Sequence, residues 1–111
     1  MNSGYANTNG NVNSYKEQEI LMSTPEQCVL HVYDIAIQSC KREEPQRAGK
    51  AVAALIDALS FEVEGDVAER LFRLYEYCLG LIYKMSFEQP VKILKELRET
   101  WHQALVNQEA A

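Results

Sequence analysis

Glu99-Thr-Trp-His102 places a carboxylate and an imidazole three residues apart. On a helix that spacing puts both on one face, as in the carboxylate-bridged di-metal sites of helical bundles. A complete site of that kind needs a second Glu-x-x-His and two further inward-facing glutamates. The chain has one other histidine, His31, and the residue three before it is Cys28, so the pair reads as a solvated helix face and not a metal centre. His31 itself follows Leu30 at the edge of an apolar stripe, where a histidine is a boundary residue, and no triad can be assembled around it. Cys28, Cys40 and Cys78 form no C-x-x-C motif and fall at apolar helical positions, which predicts buried thiols in a reducing compartment. Glu43-Glu44 and Glu62/Glu64 fall in predicted turns, with no apolar surroundings to tune a carboxylate for acid–base work. The glycines are scattered and build no phosphate loop. No catalytic residue, metal or cofactor is expected.

The chain that must position these residues has 111 of them, enough for one domain with a modest core. That size favours a binding module over an enzyme with an enclosed cavity. Sixteen acidic and eleven basic residues give a net charge of −5, and no run of bases forms a stripe for nucleic-acid phosphates. The apolar runs are too short for membrane insertion, and the Asn/Ser/Gly-rich N-terminus lacks a signal pattern, so a cytoplasmic location is the default expectation.

Residues 1–14 carry too little apolar surface to repay their ordering entropy and are expected to be a disordered tail. Residues 15–23 form an arm with Tyr15, Ile20, Leu21 and Met22 on a segment too polar to bury them alone. Thr24-Pro25-Glu26-Gln27 is a T-x-x-Q capping box with proline at the first helical position, so a helix starts at a defined residue. Cys28, Val29, Val32, Tyr33, Ala36, Ile37 and Cys40 make its apolar face to about residue 42. A second helix over about 46–60 presents Ala48, Val52, Leu55, Ile56 and Leu59, with Ala51, Ala53 and Ala54 allowing close approach of a neighbour. Asp66 with Glu69 is a plausible cap for a third helix running to about 85. Its face is Val67, Leu71, Leu74, Tyr75, Cys78, Leu81, Ile82 and Met85, with Phe72, Tyr77 and Leu79 as surplus apolar surface outside it. Ser86 with Gln89 is expected to cap a fourth helix with face Val91, Leu94, Leu97, Trp101, Ala104 and Leu105, fraying over 107–111. Four amphipathic helices over 24–106 with short loops predict an all-α, antiparallel up-down-up-down bundle.

The motifs Tyr15-x4-Ile20-x3-Thr24-Pro25-Glu26-Gln27, Val32-Tyr33-Asp34, Gly65-Asp-Val67-Ala68-Glu-x-Leu71 with Leu74-Tyr75-Glu76-Tyr77, and Leu97-Arg98-Glu99-Thr100-Trp101 occur in that order. Together they resemble the flagellin secretion chaperones (FliS) over about residues 15–106. The resemblance implies a four-helix export chaperone of the bacterial cytosol that binds the C-terminal segment of flagellin, prevents premature polymerisation and delivers it to the type III export gate. Its partners would be flagellin and an export-gate component; separately, the surplus apolar surface of the third helix leads to the expectation of a weak homodimer when no client is bound. In that family the N-terminal segment can occupy part of the client groove.

Carried over by position, the resemblance assigns Tyr15 and Ile20 to the arm and matches Val29, Tyr33, Tyr75 and Tyr77; with Phe72 and Leu79 from the surplus apolar surface of the third helix, these are the flagellin-binding candidates. Thr24, Pro25, Gln27 and Trp101 carry the structural signature. Tyr33, Tyr75 and Trp101 lie on core-facing stripes, where packing is the first expectation. The chain is shorter than typical members by roughly a dozen residues between Asp34 and Phe61 and roughly seven between Tyr77 and Leu97, so a stubbier bundle is expected. A generic four-helix adaptor or oligomerisation module binding another partner helix is the alternative.

Overall fold

The computed structural model describes residues 24–62 and 65–110, without the side chains of 60–62 and 108–110. The tail, the Tyr15/Ile20 arm and part of the turn after Phe61 therefore lie outside the described residues. Four helices follow in order: α1 (Pro25–Lys41), α2 (Pro45–Glu62), α3 (Gly65–Tyr83) and α4 (Glu88–Ala110). Each packs against its neighbours in sequence, and α4 closes the ring on α1, so the architecture is the antiparallel four-helix bundle the patterning predicts.

The start of α1 is as expected. The Gln27 N–H donates to Thr24 Oγ1 at 3.2 Å, and the Thr24 N–H donates to Gln27 Oε1 at 3.2 Å. The box satisfies two backbone donors that the first turn would leave open. At the other end, the Glu44 N–H reaches Ser39 O and the Glu43 N–H reaches Cys40 O, with Glu43 at φ 57. This is a Schellman closure with glutamate in the left-handed position, where glycine is the usual occupant. Pro45 then opens α2 as its first residue.

The starts of α3 and α4 depart from the expected caps. Gly65, at φ +73, is already the first residue of α3, so Asp66 sits inside the first turn, where its charge suits the helix dipole. Met85 adopts φ 62 and its N–H bonds Ile82 O, while the Ser86 N–H bonds Leu81 O. The Ser86 N–H thus helps close α3, and because α4 starts at Glu88 the cap position falls on Phe87, one residue later than expected. The first turn of α4 springs instead from Phe87, whose carbonyl accepts from the Val91 N–H.

The core is narrower than the patterning suggests. On α1 it comprises Val29, Tyr33, Ala36, Ile37 and Cys40, and on α2 Ala48, Ala51, Val52, Leu55 and Leu59. On α3 only Leu71, Tyr75, Cys78 and Ile82 are buried, an i, i+4, i+7, i+11 line, whereas Val67, Leu74 and Met85 of the expected face are exposed. On α4, Phe87, Pro90 and Leu94 are buried, Leu97 and Trp101 are half-buried, and Ala104 is exposed. Both shortfalls share a cause: α3 and α4 make the least extensive contact of the four neighbouring pairs. Ala53 and Ala54 are likewise exposed, so Ala51 alone of that trio serves close approach.

Candidate functional site

The family-like motifs converge on two contacts. Tyr33 of α1 and Tyr75 of α3, both buried, meet hydroxyl to hydroxyl at 2.5 Å, with their rings tilted by 58° at 6.3 Å between centroids. The Trp101 side chain of α4 lies beside both hydroxyls, and its indole N–H is a donor only. Burial pushes both phenols above the ordinary tyrosine range, since an anion there would lose its hydration. One turn toward the surface, Arg98 Nε donates to Asp34 Oδ1 at 2.6 Å and Arg98 Nη2 to Asp34 Oδ2 at 3.3 Å. The hydrogen bond to Asp34 holds the Arg98 guanidinium above its ordinary pKa. The tyrosines, the tryptophan and this ion pair brace α1, α3 and α4, with Tyr33 and Tyr75 inside the bundle and Trp101 half-buried against it.

Accessible apolar surface lies elsewhere. An open groove of about 270 Å³ runs between the first half of α1 and the second half of α2, with Pro25, Val29 and Val32 on one side and Ala54, Leu55 and Ala58 on the other. Its lining is almost wholly apolar. Pro25, at the rim, is the first residue of α1. Val29, a core residue, forms part of the floor. Ala54 and Ala58 were not among the flagellin-binding candidates. Their i, i+4 spacing of small residues beside the α2 apolar stripe is the signal that marks them.

The second surface is α3. A Cβ added at Gly49 of α2 would meet the Tyr83 hydroxyl at 2.6 Å, so the flank of α3 carrying Phe72, Leu79 and Tyr83 faces α2. Leu74 and Leu81 are on the opposite flank, toward α4. Phe72 is 39% exposed, Leu74 37% and Tyr77 52%, while Leu79 is half-buried against the core. Of the candidates, then, Phe72 and Tyr77 are surface groups, Leu79 and Val29 are at the margin, Tyr33 and Tyr75 are interior, and Tyr15 and Ile20 lie outside the described residues.

Glu99 is exposed and accepts a hydrogen bond from Gln103 Nε2 at 3.1 Å, and His102 is half-buried. Among the described residues no three His, Cys, Asp or Glu side chains gather as metal ligands would. Cys40 and Cys78 are buried thiols, each pushed by burial up to about 11, which suppresses the nucleophilic thiolate. Cys28 departs from expectation: it is half-exposed, at the rim of the α1–α2 groove, because its helical position lies between the core line and solvent. No described helix is long and apolar enough to cross a membrane.

The family model described as flagellar protein FliS matches residues 7–109. No curated protein and no solved structure matches the chain. The matched span takes in the whole bundle and every motif that meets at Tyr33, Tyr75, Trp101 and Arg98, and the chain belongs to the FliS family of flagellar export chaperones.

Proposed function

We propose that the chain binds the C-terminal segment of flagellin in the bacterial cytosol, keeps it from polymerising and hands it to the type III export gate, with no chemistry of its own. The observation that carries this reading is the uncovered apolar surface of α3, with Phe72 and Leu79 on one flank and Leu74 and Tyr77 on or beyond the other. Flagellin's terminal segment makes helix–helix contacts in the filament, and masking it calls for substitute apolar contacts of the helix-in-groove kind. The α1–α2 groove floored by Val29 adds a second apolar strip on the other side of α2. A client that wraps the bundle as it folds can use both.

Ordering that client costs on the order of 2–5 kcal/mol of the gross interaction energy, which keeps the complex stable yet releasable. Tyr15 and Ile20 act in this reading as a movable arm that covers apolar surface until flagellin displaces it. Without client, the same α3 surface supports a weak homodimer. Titration with the C-terminal peptide of the host's flagellin tests the proposal: saturable binding is expected, and none at tens of micromolar would sink it in favour of an adaptor for an unrelated helix.

A further inference from the structure

The fold gathers a basic end that the linear sequence does not display. Tyr33 and Tyr75 touch at mid-bundle, and from that contact α1 and α3 each run eight residues further, to Lys41 and Tyr83, or about 12 Å. Both helices therefore stop at one level, where α2 and α4 begin. Around that end lie Lys41 and Arg42 from α1, Arg47 and Lys50 from α2, Lys84 from the α3–α4 turn, and Lys92 and Lys95 from α4, all exposed. Glu43, Glu44 and Glu88 oppose them at the tip and Glu76 and Glu96 at the level of Lys95, which leaves an excess of two positive charges on a protein whose net charge is −5.

Elsewhere the described residues include just three bases, Arg70, Arg73 and Arg98, and two of these are held by carboxylates: Arg73 by Glu69 at 2.7 Å and Arg98 by Asp34 at 2.6 Å. At the basic end the one close pairing is Arg47 with Glu44, at a loose 3.8 Å. Lys41 and Lys95 crowd each other instead, and the charge of Lys41 holds the Lys95 ammonium below its ordinary pKa. Like charges brought together at an exposed surface are relieved by an anionic partner.

Amid these cations the end presents apolar side chains. Met85, in the left-handed conformation at the tip of the α3–α4 turn, is 57% exposed, and Tyr83 is 61% exposed. A duplex or single strand would need a basic track along a groove or face, and these cations cap a blunt end. Lysines and arginines around the exposed Met85 tip, with Tyr83 lying beside it along α2, match instead the boundary between lipid headgroups and acyl chains, where charge attracts and short apolar groups insert shallowly.

We propose that this end is a peripheral docking surface for anionic phospholipid membranes, on which the bundle stands with its acidic end turned away. The inference does not depend on flagellin being the client.

The test is flotation of the full chain with vesicles of phosphatidylcholine containing roughly one-third phosphatidylglycerol, against phosphatidylcholine alone. Binding is expected to the anionic vesicles only and to fall steeply with salt. Lys92→Gln with Lys95→Gln should weaken it about 25-fold, about fivefold per charge, while Arg70→Gln with Arg73→Gln, at the far end, should leave it unchanged. Met85→Ser should lower the binding that survives at moderate salt. All these positions are exposed, circular dichroism confirms the fold, and flagellin-peptide binding read on the same variants keeps the two functions apart. Failure to float with anionic vesicles at low salt overturns the proposal, as does equal loss in the Arg70/Arg73 variant. Binding to poly-glutamate or single-stranded RNA in place of vesicles would reassign the end to an acidic protein or a nucleic acid.

Discussion

Tyr33 and Tyr75, 42 residues apart in the chain, share a hydrogen bond of 2.5 Å between hydroxyls that solvent barely reaches. With Trp101 beside them, half-buried against the core, residues of three helices meet at one polar spot in an otherwise apolar interior. Buried hydroxyls are tolerated when each finds a partner, and removing one leaves the other's desolvation unrepaid. Tyr33→Phe or Tyr75→Phe should each destabilise by about 1–2 kcal/mol, and the double variant by clearly less than the sum. Urea denaturation of the four proteins measures the coupling; strict additivity would mean that the two hydroxyls act independently.

The same burial sets an alkaline limit. Cys40 and Cys78 rise from 9.0 to about 11, and both tyrosines rise above 10.0. The unfolded chain therefore loses these protons first. Stability from these groups is complete below about pH 9 and is lost as pH climbs through 9 to 11 for the thiols, with the phenols adding to the loss above 10. Thermal melts should be nearly flat with respect to these groups from pH 7 to 9 and decline beyond. A Cys40→Ala, Cys78→Ala variant should show a shallower decline between 9 and 11, and an unchanged slope would remove the thiols from the account.

Asp34 and Arg98 form a fork-like pair at the α1–α4 seam, but their side chains keep 52% and 32% of their exposure. Water and salt screen such a pair, so Arg98→Ala should cost only about 0.5–1 kcal/mol. The cost should shrink in high salt, and Arg98→Lys should restore only part of it, since lysine cannot present two coplanar donors. A penalty beyond about 2 kcal/mol would mean that the pair is far better shielded than its exposure implies.

Ser39 is fully buried, and its hydroxyl has no hydrogen-bond partner among the described residues. Alanine fits the space, favours the helix and removes an unpaired polar atom. Ser39→Ala is expected to stabilise the bundle by about 1 kcal/mol, read as an upward shift in urea midpoint with an unchanged m-value. Destabilisation would show that the hydroxyl has a partner after all.

On α3, Phe72 and Tyr77 are exposed enough to be truncated without opening the core. The Phe72→Ala, Tyr77→Ala variant should keep its helicity while flagellin-peptide affinity falls about tenfold or more, in keeping with aromatic anchors at an interface. Calorimetry and circular dichroism on one preparation separate the effects. Unaltered affinity would move the client site to the α1–α2 groove, where Val29→Ala is the next variant to examine.

Local chemistry was readable along the chain. Thr24, Pro25 and Gln27 determine where α1 begins, because capping depends on residues within one turn, and four apolar stripes with short connections determine a four-helix bundle. The lone Glu99/His102 pair could be set aside by counting ligands alone.

What periodicity could not decide was how wide each stripe is in use. A helical face tells which residues can be buried, and only the neighbour's distance tells which are. Leu74 and Val67 stay exposed because α3 and α4 pack sparsely, and the cap position of α4 falls on Phe87 instead of Ser86. The meeting of Tyr33 with Tyr75, the α1–α2 groove and the clustering of Lys41 beside Lys95 join residues far apart in sequence, so they exist only once the helices have chosen their partners.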